Sequence, residues 1–456
     1  MLKSNRATRN EPLNLGMSEQ DQVTTTTSWL RPQRLRRQAL LLATALWLGY
    51  ALTIATPGMR DRFGHLKGAD FLHPYVLGTL ALEHRGDALY DTRVQREVGE
   101  ERVPESAGDW FLPVYGPQYS LIWMPLALLP YGWAASVWLT LSAAIYAACC
   151  YAVWRSCANL HDYGTTVALA AAAFPGFFAL ITFGQNSALA LAALTGTYFA
   201  LRARHEVLAG VCLGLLAYKP QLGIVPACVF VIAAFWPRRV DRAPSGSAGS
   251  FGDRKAVGAS GGNFSLAGMR DRSPWKVIVG AVASVIAQFA LAWAWYGSGP
   301  LRDYLHVLTH VNSAAGILEP RPYFLHSLRG FWNLLLPWPR LAFVLYILTA
   351  IATLAVAIAC WRSRASLSNR WAIILLATVL VAPHLTVYDL VIVAPALLWI
   401  ADWLAVHAAR GIAGLVYLSF ILPFAGPLTR WTHAQLSVIA LAGLTVTFAL
   451  RLREEQ

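Results

Sequence analysis

Four short polar clusters stand out between the long apolar stretches of this chain. They are Gly68-Ala69-Asp70-Phe71, Gly184-Gln185-Asn186-Ser187, Tyr218-Lys219-Pro220-Gln221 and the stretch from His384 to Asp389. A carboxylate such as Asp70 can accept a proton from a hydroxyl group, and an ammonium group such as that of Lys219 can bind an anion. Polar residues at membrane depth are costly and usually mark a site. Tracing the chain through a bilayer carries all four clusters to one face, which predicts one pocket.

The composition is that of a membrane protein. Of the 456 residues, 56% are hydrophobic and only 13% are charged, whereas about a quarter of the residues of a soluble protein are charged. The mean hydropathy is +0.47. These values predict an all-α, polytopic integral membrane protein that is embedded in the lipid bilayer, which is therefore one of its expected partners. The net charge of +13 suggests nucleic-acid binding, but most basic residues fall on segments predicted to face the cytoplasm, so we expect no nucleic-acid partner.

A membrane span needs about 20 apolar residues, or fewer where a helix is only half embedded. Twelve candidate spans place both termini on the cytoplasmic side; they cover residues 38–56, 133–154, 163–182, 187–203, 206–219, 221–236, 276–296, 341–361, 371–383, 389–407, 411–426 and 433–451. No small-residue cleavage site follows the first span, so we interpret it as an uncleaved helix. Residues 206–236 could alternatively form one long broken helix.

The basic residues test this count of spans. Each predicted cytoplasmic connection contains at least one, namely Arg155, Arg202 and Arg204, the run from Arg238 to Lys276, Arg362, Arg364 and Arg370, Arg410, and Arg451 with Arg453. An error of one span would invert every later loop and destroy the agreement with the positive-inside rule. The sequence therefore predicts a bacterial inner-membrane protein whose pocket faces the periplasm.

The predicted spans divide the chain into two membrane halves. The segments are a basic cytoplasmic tail at 1–37, an N-terminal half at 38–236 with an outer loop at 57–117, a cytoplasmic loop at 237–274, a C-terminal half at 275–451 with an outer loop at 297–340, and a cytoplasmic tail at 452–456. The 237–274 loop is rich in Gly and Ser and is predicted to be a disordered linker without chemistry, because such a composition buries too little apolar surface.

Two further helices are predicted after the first span. The spacing of apolar residues from Phe71 to Arg85 predicts an amphipathic helix that lies at the membrane interface. The apolar stretch within 118–130 is too short to span a bilayer, which favours a re-entrant or interfacial helix.

At these positions the chain resembles glycosyltransferase family 87, the polyprenol-phosphate-mannose-dependent mannosyltransferases of the GT-C superfamily. The matching stretches are Asp70-Phe71 with Tyr75, Gly86-Asp87-Ala88-Leu89-Tyr90, Tyr115-Gly116-Pro117 with Pro125-Leu126-Ala127, Phe183-Gly184-Gln185-Asn186-Ser187, Ala209-Gly210 through Lys219-Pro220-Gln221, and His384 through Leu390. The chain departs from the family at Gly116, where a second proline is common. The resemblance implies a GT-C fold and transfer of mannose or a related sugar from a polyprenyl-phosphate donor to a glycolipid or glycan acceptor outside the membrane.

The resemblance implies that Asp70 is the catalytic base. An acceptor hydroxyl needs a base within hydrogen-bond reach as it attacks the anomeric carbon, and an inverting displacement needs only one such carboxylate, unlike the paired acids of glycosidases. The alternative is that Asp70 caps a helix or is a solvated loop acid, since nine other acids share the outer loop.

The leaving phosphate needs cations, and three residues are candidates. Lys219 stands in an apolar stretch before Pro220, which breaks the helix. Its alternative role is to snorkel to the interface. Arg321 and Arg329 could grip the phosphate bidentately, or each could simply be a solvated surface arginine.

Six further residues are candidates for the sugar and acceptor pocket: Gln185, Asn186, His326, His384, Tyr388 and Asp389. The alternatives are structural, with Gln185 and Asn186 satisfying backbone groups at a turn and Asp389 capping the next helix. No cluster has the spacing of metal ligands. We therefore expect no metal site and no tightly bound cofactor, while a divalent cation held loosely on the phosphate is compatible with the sequence.

Two other functions compete with sugar transfer. A transporter or flippase for lipid-linked glycans would place polar groups near the bilayer midplane and at both faces, whereas these gather at one face. A glycan polymerase or ligase would use arginine and histidine in a large outer loop, without an aspartate directly after the first helix.

Overall fold

The structure is a computed structural model that describes residues 32–109, 111–236, 273–310 and 322–455. The helices, in chain order, are α1 (Pro32–Ile54), α2 (Leu72–Leu82), α3 (Thr92–Arg102), α4 (Pro117–Ala127), α5 (Tyr131–Ser156), α6 (Gly164–Ala172), α7 (Pro175–Phe183), α8 (Ser187–Arg202), α9 (Glu206–Gly214), α10 (Ile224–Phe235), α11 (Pro274–Tyr296), α12 (Gly299–His310), α13 (Leu328–Leu335), α14 (Pro339–Trp361), α15 (Leu367–Val381), α16 (Ala394–Leu404), α17 (Arg410–Ile421), α18 (Thr429–Thr432) and α19 (Leu436–Glu454). Short 3₁₀ turns join several of them. Within the described ranges the only β-type pairings are two isolated bridges, so the all-α prediction is confirmed.

In the described part of the chain, seven helical stretches are long and apolar enough to cross a membrane, or eight if the α6–α7 pair, bent by 45°, is one span. This confirms a polytopic membrane protein. The remaining predicted spans coincide with shorter helices, such as α8 with 16 residues and α10 with 12. Much of the predicted N-terminal tail and nearly all of the 237–274 loop lie outside the described residues.

The segment 206–236 forms a helical hairpin and not one long broken helix. Gly210 near the start of α9 lies against the backbone of Val277 and Gly280 in α11. At the end of α10, the Phe235 ring lies 4.9 Å from the ring of Trp275. Both ends of the hairpin therefore lie beside the start of α11, and the chain reverses between α9 and α10. Lys219 sits at this reversal, where Pro220 has no N–H to continue the helix.

The outer segment between α1 and α5 folds onto the bundle. All residues of α2 from Leu72 to Ala81 are buried, including His73 and Thr79. Gly78 meets the backbone of Trp123 in α4, where any Cβ would lie 2.7 Å from the carbonyl carbon. The predicted helix is present, but both of its faces pack against protein, so the expectation of an amphipathic helix lying on the membrane is wrong. Its polar residues face protein groups and not water.

Some short helices end inside the bundle, about two turns short of the ends of their longer neighbours. The hydroxyl of Tyr346, about two turns into α14, donates to the carbonyl oxygen of Val381, the last residue of α15, at 2.8 Å. The indole of Trp138, about two turns into α5, donates to Gly184 beyond the end of α7 at 3.2 Å. At 1.5 Å per residue these ends are recessed by about 10 Å. Because α15 is buried from Asn369 to Val381, it forms the centre of the bundle.

The predicted cytoplasmic connections gather at the opposite end of the bundle. The Arg362 guanidinium donates to the carbonyl oxygen of Trp236 at 3.0 Å, and the backbone N–H of Asn159 donates to the Asp402 carboxylate at 2.8 Å. The helix directions therefore agree with the alternation that the charges predict. Which end faces the cytoplasm stays a prediction of the positive-inside rule.

Candidate active site

Asp70 lies in a 3₁₀ turn between α1 and α2 that is anchored to the bundle. The preceding Gly68 has a left-handed backbone with φ of 65°, and its carbonyl oxygen accepts a hydrogen bond from the Tyr131 hydroxyl at 3.0 Å. Gly184 also has a left-handed backbone, with φ of 73°. A Cβ on Gly184 would lie 3.0 Å from the Gly68 carbonyl oxygen. Glycine at 184 therefore lets the two turns touch.

This contact places Gln185 beside Asp70. The Gln185 amide Nε2 donates to Asp70 Oδ2 at 2.5 Å, and both side chains are partly exposed. Burial raises the pKa of the Asp70 carboxyl to about 6, while the Gln185 hydrogen bond and the Lys219 ammonium oppose the rise. The cause is the loss of water around the charged form. A carboxylate that titrates near neutrality and remains accessible is suited to accept a proton at physiological pH.

Lys219 is held in a buried ion pair. Its ammonium Nζ lies 2.8 Å from Asp389 Oδ1 and donates to Ser187 Oγ at 3.0 Å. The Ser187 hydroxyl donates in turn to Asp389 Oδ1 at 2.5 Å. The side chains of Lys219 and Asp389 are 6% and 2% exposed. The lysine therefore points into protein, so snorkelling to the interface does not describe it.

The stretch from His384 to Asp389 leads into the 3₁₀ turn Val387–Val393. Thr386 occupies the N-cap of that turn and Asp389 its third position, in a reciprocal capping box. The alternative that Asp389 is itself the N-cap is therefore wrong, because Asp389 lies three residues after the N-cap. Tyr388 lies over the Lys219 ammonium, 5.3 Å from Nζ to the ring centre, and His384 is partly exposed before the turn.

We call Asp70, Gln185, Ser187, Lys219 and Asp389 the polar cluster. They come from four separate stretches of chain and meet where short helices end inside the bundle. Lys219 affects the pKa of Asp70, and Tyr388 lies within electrostatic reach of both carboxylates. The structure thus joins the four polar stretches that the sequence singled out.

Comparison with known protein families indicates which kind of protein contains this cluster. Residues 111–252 match the model of glycosyltransferase family 87. Over this segment the chain is similar to glycosyltransferase family 87. The match spans just under a third of the chain and includes Gln185, Ser187 and Lys219 but neither Asp70 nor Asp389. No curated protein and no solved structure matches the chain.

This match supports a membrane glycosyltransferase, an activity that implies a sugar donor and an acceptor as substrates. The prediction of an enzyme is thereby confirmed. The polar cluster, with one accessible carboxylate beside hydrogen-bonding amides, is the candidate active site of this transferase.

Asn186 of this glycosyltransferase is turned into the protein. Its amide donates to the hydroxyls of Tyr115 at 3.2 Å and Tyr119 at 2.5 Å, and its backbone carbonyl accepts from the Tyr218 hydroxyl at 3.1 Å. The side chain is 3% exposed. The Asn186 amide thus bonds to tyrosine hydroxyls and not to backbone groups of the turn, and its Oδ1 has no hydrogen-bond partner among the described residues.

His326 is buried away from the surface of the polar cluster. Its side chain is 1% exposed, and its Nδ1 lies 2.7 Å from Ser437 Oγ. Its backbone N–H donates to the carbonyl oxygen of Leu385 at 2.8 Å. Burial lowers the pKa of His326 to about 3, so the imidazole is neutral. The backbone hydrogen bond joins His326 to the stretch from His384 to Asp389.

The structure describes two of the three predicted phosphate-binding residues. Lys219 is in the polar cluster, Arg329 is half-buried in α13, and Arg321 lies outside the described residues. Within the described ranges no group of three or more His, Cys, Asp or Glu side chains could hold a metal ion. A cation held loosely on the substrate phosphate stays a prediction.

Ser187 and Tyr115 belong to the site region, although sequence reasoning did not choose them as site residues. Ser187 links the Lys219–Asp389 pair to the Gln185 turn. Tyr115 contacts Asn186 and lies within electrostatic reach of Asp70 and Lys219. Both residues stand in stretches that resemble the family. For Ser187, the signal available in the sequence was a small hydroxyl residue at the start of an apolar helix.

Proposed function

We propose that this glycosyltransferase moves mannose, or a related sugar, from a polyprenyl-phosphate donor to a glycolipid or glycan acceptor on the outer face of the bacterial inner membrane. The observation that carries the proposal is the Asp70 carboxylate, which is partly exposed, hydrogen-bonded by Gln185 and titrates near pH 6. A base with such a pKa is ionised at neutral pH and still has useful proton affinity.

The proposed reaction is a single inverting displacement. The acceptor oxygen attacks the anomeric carbon and forms the new glycosidic bond, while its proton passes to Asp70. The bond between the anomeric carbon and the phosphate oxygen breaks on the opposite side, and its electron pair leaves with polyprenyl phosphate. One carboxylate suffices for this step, because the phosphate is a good leaving group and no glycosyl–enzyme intermediate forms.

The depth of the polar cluster supports a lipid-borne donor. The helix ends that flank it are recessed by about 10 Å relative to the longer helices, so a sugar phosphate carried at the membrane interface would reach the cluster without leaving its lipid anchor. Arg329 and Arg321 remain proposed ligands of the donor phosphate, since guanidinium groups match phosphate oxygens well.

The family match favours a transferase over a transporter or flippase. A glycan polymerase or ligase would share the outer-face location and the lipid-linked substrate. The nature of the product separates that alternative from the proposal: a transferase adds one sugar residue, whereas a polymerase or ligase moves a preassembled glycan.

The test is to incubate membranes containing the protein with labelled polyprenyl-phosphate mannose, and then to identify the labelled products by mass spectrometry. Asp70→Asn keeps the shape of the side chain and removes the base, so we expect transfer to fall by at least about 100-fold while the protein still reaches the membrane. The matched control is Asp87→Asn, at an exposed acid of the same outer segment, which should retain activity. Full transfer by Asp70→Asn would remove the base assignment.

A further inference from the structure

The charge of Lys219 is already balanced inside the protein. Its ammonium lies 2.8 Å from Asp389 Oδ1 and 3.0 Å from Ser187 Oγ, and both charged side chains are more than nine-tenths buried. If Lys219 turned to a donor phosphate, Asp389 would be left as a buried anion without a partner. Removing one member of a buried ion pair is strongly unfavourable, so this geometry disfavours direct phosphate binding.

The same contacts tie Lys219 to Asp70 through one short turn. Gln185 lies in the connection between α7 and α8, and Ser187, two residues later, begins α8. Gln185 donates to the Asp70 carboxylate, and Ser187 accepts from the Lys219 ammonium. The same turn therefore contacts both the proposed base and the ammonium. Asp389 is fixed as well, since its second oxygen accepts from the backbone N–H of Thr386 at 3.4 Å.

We propose that Lys219 is a positioning residue: Asp389 and Ser187 hold its ammonium where its electrostatic field stabilises the negative charge of the Asp70 carboxylate, and it contacts no part of the donor. The inference rests on the proposed function of Asp70 as the base. In this proposal Asp389 acts by holding Lys219 and does not bind the sugar.

Hydrogen-bonding and charged groups from several elements surround the Asp70 carboxylate. Gln185 donates a hydrogen bond, and Lys219 supplies the cation that acts on Asp70. The hydroxyls of Tyr115, Tyr131 and Tyr388 are also within electrostatic reach of the carboxylate. Tyrosines are neutral at pH 7, so among these groups only Lys219 changes the charge felt by Asp70.

The first experiment measures the titration of Asp70 directly. Difference infrared spectroscopy of the purified protein follows the protonated carboxyl band as the pH is raised, and Asp70→Asn identifies the band. Lys219→Met removes the cation, so the midpoint of the Asp70 band should move up by about one pH unit; Asp389→Asn leaves the cation unbalanced, so the midpoint should move down by a similar amount. An unmoved midpoint in both variants would overturn the inference.

The second experiment compares KM with kcat, using labelled polyprenyl-phosphate mannose as the donor. In Lys219→Met the pH profile of kcat should move up by about one unit, so kcat at pH 6 should fall by roughly 5-fold. Donor KM should change less than about 3-fold, because a residue that acts through the base does not bind the ground state. A rise in donor KM of about 10-fold or more, without a shifted pH profile, would show that Lys219 binds the donor and would overturn the inference.

A double variant controls for loss of folding in the two single variants, each of which leaves one buried charge unpaired. Lys219→Met/Asp389→Asn removes both buried charges together, so neither is left unpaired. Its infrared midpoint should return to within about half a pH unit of the wild-type value, and its donor KM should stay near that of the wild type. A strongly raised donor KM in the double variant would contradict the positioning role.

Failure of this inference is distinguishable from failure of the proposed function. If Asp70→Asn transfers sugar at the full rate, the base assignment is lost, whereas the infrared midpoint still reports whether Lys219 acts on Asp70. If Asp70→Asn is inactive and the midpoint does not respond to Lys219, the base assignment survives and only the role of Lys219 is wrong.

Discussion

At the scale of single residues, the charge state of Asp70 governs the proposed reaction. Burial raises the pKa of its carboxyl to about 6, so the residue is protonated and inactive as a base at low pH. The rate of sugar transfer should therefore rise as the pH increases through about 6. A profile that is flat from pH 5 to pH 8 would contradict this prediction.

The same raised pKa makes the free energy of unfolding fall as the pH increases. The folded state binds the Asp70 proton more tightly than the unfolded state, whose carboxyl has the ordinary lower pKa. The contribution of Asp70 to the free energy of unfolding is therefore greatest below about pH 4 and is lost as the pH rises through about 6. Activity and this contribution to stability thus change in opposite directions over the same pH range.

Gln185 provides a second prediction at this scale. Its amide donates to the ionised form of Asp70, which favours the charge. Gln185→Leu should therefore move the rise in transfer activity to higher pH by about one unit, while activity at pH 8 is largely retained. Gln288→Leu is the control, because Gln288 donates to the carbonyl oxygen of Gly214 and not to the polar cluster. An unshifted profile in Gln185→Leu would mean that the hydrogen bond does not tune the base.

At the scale of elements, the turn between α7 and α8 determines where Gln185 lies. Gly184→Ala would place a Cβ 3.0 Å from the Gly68 carbonyl oxygen, so the turn and the Asp70 segment must separate. The contact is relieved by a shift of a few tenths of an ångström. Since misplacement by about 1 Å can lower a rate on the order of 100-fold, we expect this smaller shift to lower kcat by roughly 10-fold in the transfer assay.

Gly64→Ala is the matched control for this change. Gly64 also has a left-handed backbone, with φ of 82°, but a Cβ there would meet no atom within 4 Å. Both substitutions carry a left-handed strain of about 1–2 kcal/mol, and only Gly184→Ala disturbs the contact between the two turns. Equal losses of activity in the two variants would show that strain, and not the position of Gln185, is responsible.

At the scale of the whole molecule, the alternation of basic connections predicts the orientation in the membrane. In a background without the six native cysteines, Asp87→Cys should react with a membrane-impermeant maleimide in intact cells whose outer membrane is permeable. Arg364→Cys, also at an exposed residue, should react only after the inner membrane is opened. The positive-inside rule gives the physical reason, and the reverse labelling pattern would invert the topology.

Much of the architecture could be predicted from composition and apolar runs. Each predicted span coincides with a helix or a bent helix pair, because a run of apolar residues in lipid must satisfy its own backbone hydrogen bonds. The amphipathic assignment of α2 failed for a reason that sequence alone does not reveal. Its polar residues His73 and Thr79 are covered by other parts of the outer segment, and burial by distant chain leaves no periodic signal.

The sequence by itself determined that the chain is a helical membrane protein and which polar stretches interrupt its spans, since hydrophobic length and charge are local properties. It did not determine which cation faces which anion. The pairing of Lys219 with Asp389, separated by 170 residues, and the contact between Gly184 and Gly68 exist only because recessed helix ends meet inside the bundle. Side-chain partners are set by three-dimensional distance, and only the tertiary fold decides those distances.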